Sequence, residues 1–251
     1  MNLDSIVAHL DALLGIPAFP DYPTALNGLQ VDAPGPVLRV GAAVDANETT
    51  IQAAAQAGVD LLLVHHGLFW DGLKPLTGRY MRRIRTLVES GMAVYSAHLP
   101  LDAHPELGNS ILLARALGMD EPVPFGEAKG VTVGWMGEVS REPVRSFQAR
   151  VASAVDGPAR LLAGGPREVH RVAVVTGGAG PMVEEAAAAG ADTFVTGEAA
   201  HHVFTLATEL GVNVFLGGHY ATEVFGVKAL ARNLQETFGL PWVFLDAPSG
   251  L

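Results

Sequence analysis

No cysteine occurs in the 251-residue chain. That absence excludes disulfides, thiolate metal sites and cysteine nucleophiles together, so any metal must be held by histidine and carboxylate. Basic residues are also scarce: 16 lysines and arginines stand against 26 aspartates and glutamates, for a net charge of −10. The positive patch of a general nucleic-acid binder is missing, and nucleic acid is not expected as a partner. An anionic substrate would need local positive charge, which a bound divalent metal can supply. Long apolar runs are absent as well, none approaching the ~20 residues of a bilayer span. The opening MNLDSIVAHLDALLGIP is interrupted by Asp4, His9 and Asp11, unlike the core of a signal peptide. A cytoplasmic protein with no membrane partner is expected.

What is present supports a substantial core: 49% of the residues are hydrophobic, enough for one large domain or two closely joined ones. Short β-rich runs alternate with Ala/Leu-rich periodic segments, the pattern of an α/β protein with mainly parallel sheets. Strands are expected near 38–45, 60–65, 92–97, 170–176, 192–196, 212–217 and 241–245. Helices are expected over 3–15, 48–57, 79–90, 107–117, 143–155, 181–189, 200–210 and 221–238.

An internal repeat organises this pattern. RVGAAVDANETTIQAAAQAGVDLLLVHH, from Arg39, aligns without a gap on RVAVVTGGAGPMVEEAAAAGADTFVTGE, from Arg171, and places His66 opposite Glu198. ESGMAVYSAH, ending at His98, follows as ELGVNVFLGGH, ending at His219, with one residue inserted in the second copy. The reading is a pseudo-duplicated chain of two related α/β halves in one compact unit. An N-terminal half, 1–120, carries the first ligand clusters. A short connecting segment, 121–167, leads to a C-terminal half, 168–251, that completes the metal site.

In open parallel sheets ligands collect beyond the carboxyl ends of the strands. Three expected strands end in polar clusters: His65-His66-Gly67; SAHLPLDAH with His98, Asp102 and His104; and GGHYATE with His219 and Glu223. His219 and Glu223, four apart at the start of a helix, share one face. Neighbouring strand residues point to opposite faces, so His65 and His66 serve one site only if the strand ends between them. Imidazole and carboxylate on converging loops suit Zn, Mn, Fe, Co or Ni. Five or six candidate ligands exceed the three of one catalytic metal, and two ions sharing a carboxylate would use them all.

Other residues carry less. Glu198, His201 and His202 in TGEAAHH are candidate proton carriers beside the site, while His9 and His170 read as surface or strand-start residues. Phe69 and Trp70 read as core packing. TGGAGP, 176–181, lacks the P-loop lysine and the full dinucleotide spacing, and reads as a tight turn. No nucleophile elbow surrounds a serine, which argues against a serine hydrolase.

Together NGLQV at 27–31, VHHG at 64–67, HLPLDAHPELGN at 98–109, VAVVTGGAG at 172–180, TGE at 196–198 and GHYATE at 218–223 resemble the NIF-three-like family. Its bacterial members are called GTP cyclohydrolase 1 type 2 homologs. The resemblance spans almost the whole chain. It implies a dinuclear metal centre, two divalent ions per subunit, with His65, His66, Asp102, His219 and Glu223 as ligands; His98 is added from the repeat. It also implies a homohexamer, in the compact form without the large insertion some members carry. The function implied is that of a hydrolase using metal-activated water on a nucleotide or related phosphorylated metabolite such as GTP. The alternative is a non-enzymatic metal-binding regulatory or interaction protein.

Overall fold

The computed structural model describes residues 1–250. In chain order its strands are β1 (Gly28–Val31), β2 (Val40–Asp45), β3 (Leu61–His66), β4 (Ala93–Ser96), β5 (Asp120–Ala128), β6 (Val131–Pro143), β7 (Arg160–Leu162), β8 (Glu168–Val174), β9 (Thr193–Thr196), β10 (Asn213–Leu216) and β11 (Trp242–Phe244). Its helices are α1 (Leu3–Leu14), α2 (Glu48–Gln56), α3 (Gly78–Ser90), α4 (Leu99–Asp102), α5 (Asn109–Ala116), α6 (Val144–Ala154), α7 (Val183–Ala188), α8 (His202–Leu210) and α9 (His219–Phe238). Among the described residues no helix is long and apolar enough to cross a membrane.

The chain divides into two units. The first takes in Met1–Leu101 and Gly226–Ala247. Its sheet has the order β1-β4-β3-β2-β11, parallel throughout except for the antiparallel edge strand β1. Leu61, Leu62, Leu63 and Val64 are all buried, as expected of a parallel strand covered on both faces. Ile51 and Ala54 of α2 and Leu87 of α3 pack with Leu62, Val64, Met92 and Val94 into one core. Asn47 starts α2 with a reciprocal cap, its side chain accepting from the Thr50 N–H while the Thr50 hydroxyl accepts from the Asn47 N–H.

The second unit takes in Asp102–Phe225 and the tail from Pro248. Its sheet has the order β5-β6-β8-β9-β10-β7. Only β8, β9 and β10 run parallel, while β5, β6 and β7 pair antiparallel, so this sheet is mixed rather than mainly parallel. Its core sets Phe147 edge-on to Phe215, ring centroids 5.2 Å apart, among Leu113, Leu117, Val151, Val172, Val174 and Val195.

Each copy of the repeat folds as three neighbouring parallel strands joined by helices, β2 to β4 in one unit and β8 to β10 in the other. Two expectations need correction. Residues 121–167 are no mere connector, because β6 pairs with β8 from Trp135 opposite Val174 to Pro143 opposite Glu168 and so extends the second sheet. The divisions fall at 101 and 225 rather than near 120 and 168. Leu113 and Leu117 of α5 belong to the second core, and β11 returns to pair with β2 of the first sheet.

Candidate metal centre

In the first unit His65, His66 and His98 come together. Their ring centroids lie 4.8, 5.0 and 5.7 Å apart, and one ligand atom from each falls within 4.8 Å of the others. All three rings are oriented through Nδ1. The Nδ1 of buried His65 lies 2.9 Å from the Ala97 carbonyl oxygen. The Nδ1 of His66 lies 2.9 Å from Asp45 Oδ1, and that of His98 2.9 Å from Asp21 Oδ1. A carbonyl or carboxylate oxygen only accepts, so Nδ1 carries the hydrogen and Nε2 is the candidate ligand atom of each ring.

The strand does not end between the two adjacent histidines. β3 stays paired through His66, which lies opposite Asp45 on β2, and breaks at Gly67. The Asp45–His66 hydrogen bond thus joins cross-strand neighbours. A Cβ on Gly67 would lie 2.2 Å from Gln30 Nε2, so only glycine lets the Gln30 side chain cross there. Gln30 Oε1 accepts from the Leu68 N–H, and its Nε2 donates to the Ala25 and Leu26 carbonyls. Asn27 Oδ1 accepts from the His98 N–H, while its Nδ2 donates to Asp21. Burial opposes ionisation of Asp21, but hydrogen bonds from His98, Asn27 and the Tyr22 N–H together hold its carboxyl below the usual range.

In the second unit His219 opens α9 and Glu223 follows one turn later, Nε2 to Oε2 at 3.2 Å. Glu198 Oε1 lies 3.1 Å from His219 Nδ1. The hydrogen bond to Glu223, reinforced by Glu198 against the effect of burial, raises His219 to about 9. The glycine turn lies against this group. Gly177 has φ +69°, and a Cβ there would fall 2.2 Å from Glu223 Oε1. Its carbonyl accepts from the Gly197 and Glu198 N–H groups and the Thr196 hydroxyl, so TGGAGP is a tight, close-packed turn.

Asp102, buried at the end of α4, accepts from Asn109 Nδ2 at 2.8 Å. His104 belongs to a turn instead. Its Nδ1 accepts from the Glu106 and Leu107 N–H groups, and burial lowers its pKa. His201 and His202 are exposed at the N-cap and first residue of α8. The ring of His9 packs edge-on to Phe238, 5.2 Å between centroids, and its Nε2 lies 2.7 Å from Asn233 Oδ1. The Nδ1 of His170 donates to the Val139 carbonyl, so neither is a bare surface residue. The repeat set His98 opposite His219, but the ladder sets Ala97 opposite Gly217: Ala97 N–H donates to Val64 as Gly217 N–H does to Thr196. His98 therefore matches Gly218 and reaches its cluster independently of the repeat.

Asp21, Asp45, Asn27 and Gln30 are the residues that sequence reasoning missed; NGLQV contained two of them without revealing their roles. Trp70 is corrected too. Phe69 packs against the first core as expected, but Trp70 keeps 37% of its surface exposed, with its ring 4.5 Å from His98 and 5.3 Å from His66.

The donors suit a divalent metal. Imidazoles that present Nε2 while Nδ1–H is held by a carboxylate or carbonyl have the arrangement usual around metal-binding histidine, and the N/O set favours a borderline or first-row ion.

Known proteins resemble the chain along its whole length. A family model, Duf34/NIF3 (NGG1p interacting factor 3), matches residues 1–249. A GTP cyclohydrolase 1 type 2 homolog of Deinococcus radiodurans is 44% identical over 249 residues, 99% of this chain and 94% of its own. One of the same name from Pyrococcus horikoshii is 42% identical over 254 residues, covering both chains fully. The crystal structure of TTHA1606 from Thermus thermophilus matches with a TM-score of 0.92 and 44% identity over the whole of both chains.

Proposed function

Because the chain belongs to the Duf34/NIF3 family, we propose that it is a hydrolase dependent on two divalent metal ions, acting on a nucleotide or related phosphorylated metabolite. GTP is the compound named in its relatives. The observation that carries the reading is the trio His65, His66 and His98, each with Nδ1 held by an acceptor. With these act Asp102, His219 and Glu223, the remaining ligands the family resemblance implies. When bound, such ions polarise a substrate oxygen and bring the pKa of water toward neutrality.

The chain's own residues then have separate tasks. Ala97, Asp45 and Asp21 fix the three imidazoles, and Glu198 holds Nδ1 of His219. Glu198 is therefore engaged as a positioning group as well as a candidate proton carrier. His201 and His202, exposed on α8, are the groups assigned to exchange protons with solvent. The cytoplasmic homohexamer expected from the sequence belongs to the same proposal.

The test is formate release from GTP by protein loaded separately with Mn, Zn, Fe, Co and Ni, beside His219→Ala. Metal-dependent turnover that the variant loses is expected. Two bound ions with no turnover for any metal would remove GTP and move the search to other phosphorylated metabolites.

A further inference from the structure

Tyr22 and Trp70 are both large aromatic residues left in contact with solvent, 44% and 37% exposed. Neither belongs to a helix or strand, and burying either ring would have been favourable, since aromatic side chains contribute heavily to core burial. Both instead border the histidine cluster of the first unit. Trp70 meets His98 edge-on at 4.5 Å and 67°, and tilts against His66 at 5.3 Å. Tyr22 lies 6.0 Å from His98 and 6.1 Å from Trp70.

The loops that carry these rings are held in place before any ligand arrives. Trp70 is the second residue of a turn closed by the Gly72 N–H to the Phe69 carbonyl, with Gly72 at φ +75°. Tyr22 follows Asp21, whose carboxylate is tied to His98 and Asn27 and also accepts from the Tyr22 N–H. The Gln30 side chain staples the two loops, reaching Ala25 and Leu26 on one and Leu68 on the other. They also meet further out, where a Cβ on Gly72 would lie 3.8 Å from Thr24 Cγ2. Fixed, solvent-facing aromatic rings cost a planar partner little ordering entropy on binding.

We propose that the Trp70 indole is a stacking platform for the planar heteroaromatic ring of the substrate, a nucleobase by class, beside His66 and His98, with the Tyr22 ring, inclined at 66° to it, bordering one edge. The proposal rests on the metal-hydrolase reading and adds to it the part of the substrate that the chain recognises. Base–aromatic stacking tolerates any base because each has a π-face, so the platform selects for the presence of a ring rather than for its edge pattern.

Calorimetric titration of manganese-loaded protein with guanosine monophosphate and with ribose phosphate tests it, with manganese content measured on the same samples. Wild type should bind the nucleotide at least about tenfold more tightly than the sugar phosphate, as expected of stacking on one ring. Trp70→Ala should lose most of that preference at unchanged manganese content, and Trp70→Phe should keep most of it. Equal binding of the two ligands by wild type, or an undiminished preference in Trp70→Ala, would overturn the platform. Manganese content separately judges the metal reading: without uptake that reading falls, and the base preference of the metal-free protein still decides for or against the platform.

Discussion

Asp60 and Asp192 share a set of four hydrogen bonds in their respective units, to which Asp192 adds one from the Thr193 hydroxyl. The Asp60 carboxylate accepts from the Leu38 and Arg39 N–H groups, its own N–H donates to Arg39, and its carbonyl accepts from Ala93. The Asp192 carboxylate accepts from His170 and Arg171, its N–H donates to Arg171, and its carbonyl accepts from Asn213. These are the aspartates of the two Ala-Gly-x-Asp lead-ins, so the sequence repeat extends to hydrogen-bonded detail.

Removing either carboxylate leaves two backbone N–H groups without their charged acceptor. Asp60→Ala and Asp192→Ala should each lose about 1–2 kcal/mol of stability. Urea denaturation followed by circular dichroism measures this, and an unchanged midpoint in both variants would show that water replaces the carboxylate at no cost.

The groups behind the imidazoles should matter for metal retention. Asp45→Ala and Asp21→Ala each release a ring that the carboxylate holds through Nδ1. Metal affinity should drop about 10- to 100-fold, as for other partners of metal-bound histidine. Competition with a chromogenic chelator reports it, while far-ultraviolet dichroism checks that the fold is kept.

His219 predicts opposite pH trends for the metal-free and metal-bound protein. Its folded pKa, about 9, lies above the ordinary imidazole value of 6.5. Its pairing with Glu223 and Glu198 therefore stabilises the metal-free protein fully below about 6.5, and this contribution is lost as pH rises through 9. Metal must displace that proton, so affinity should increase with pH over the same interval, with proton release. Calorimetry in buffers of different ionisation enthalpy measures the release, which Glu223→Gln should reduce.

Gly177→Ala should damage the second unit twice over. The left-handed backbone costs any residue with a Cβ about 1 kcal/mol or more, and that Cβ would fall 2.2 Å from Glu223 Oε1. Lower thermal stability and weaker metal binding are expected together. A normal affinity would mean that Glu223 can shift without consequence.

The repeated α/β core was legible because buried parallel strands are nearly continuous apolar runs, as Leu61–Val64 shows. β5 and β6 were not, since DEPVPFGEA mixes proline, glycine and charge and Gly134 and Gly137 interrupt the start of VTVGWMGEVSREP, along a partly exposed antiparallel pair. β1 and β7 are short antiparallel edge strands with little fully buried surface, so neither leaves a continuous apolar run. Strand-end clusters pointed to His65, His66, His98, His219 and Glu223 as candidates because several imidazoles and a carboxylate recur where ligands gather. Their supports were invisible for a different reason: Asp21 is 77 residues from His98, and no local pattern marks an aspartate as a distant ring's anchor. Trp70 continued the apolar look of GLFW, although Gly67 had already turned the chain out of the sheet.

The anchored imidazoles also determine how this site can fail. Each ring commits one nitrogen to the protein, on the proposed reading the other would hold the ion, and no donor is a sulfur. Air or peroxide therefore finds no thiolate to convert to a sulfenate or disulfide, whereas acid needs only to protonate Nε2 to evict the ion. The donor set has no thiol to oxidise and is sensitive to acid, and a brief low-pH wash should empty a metal-loaded site.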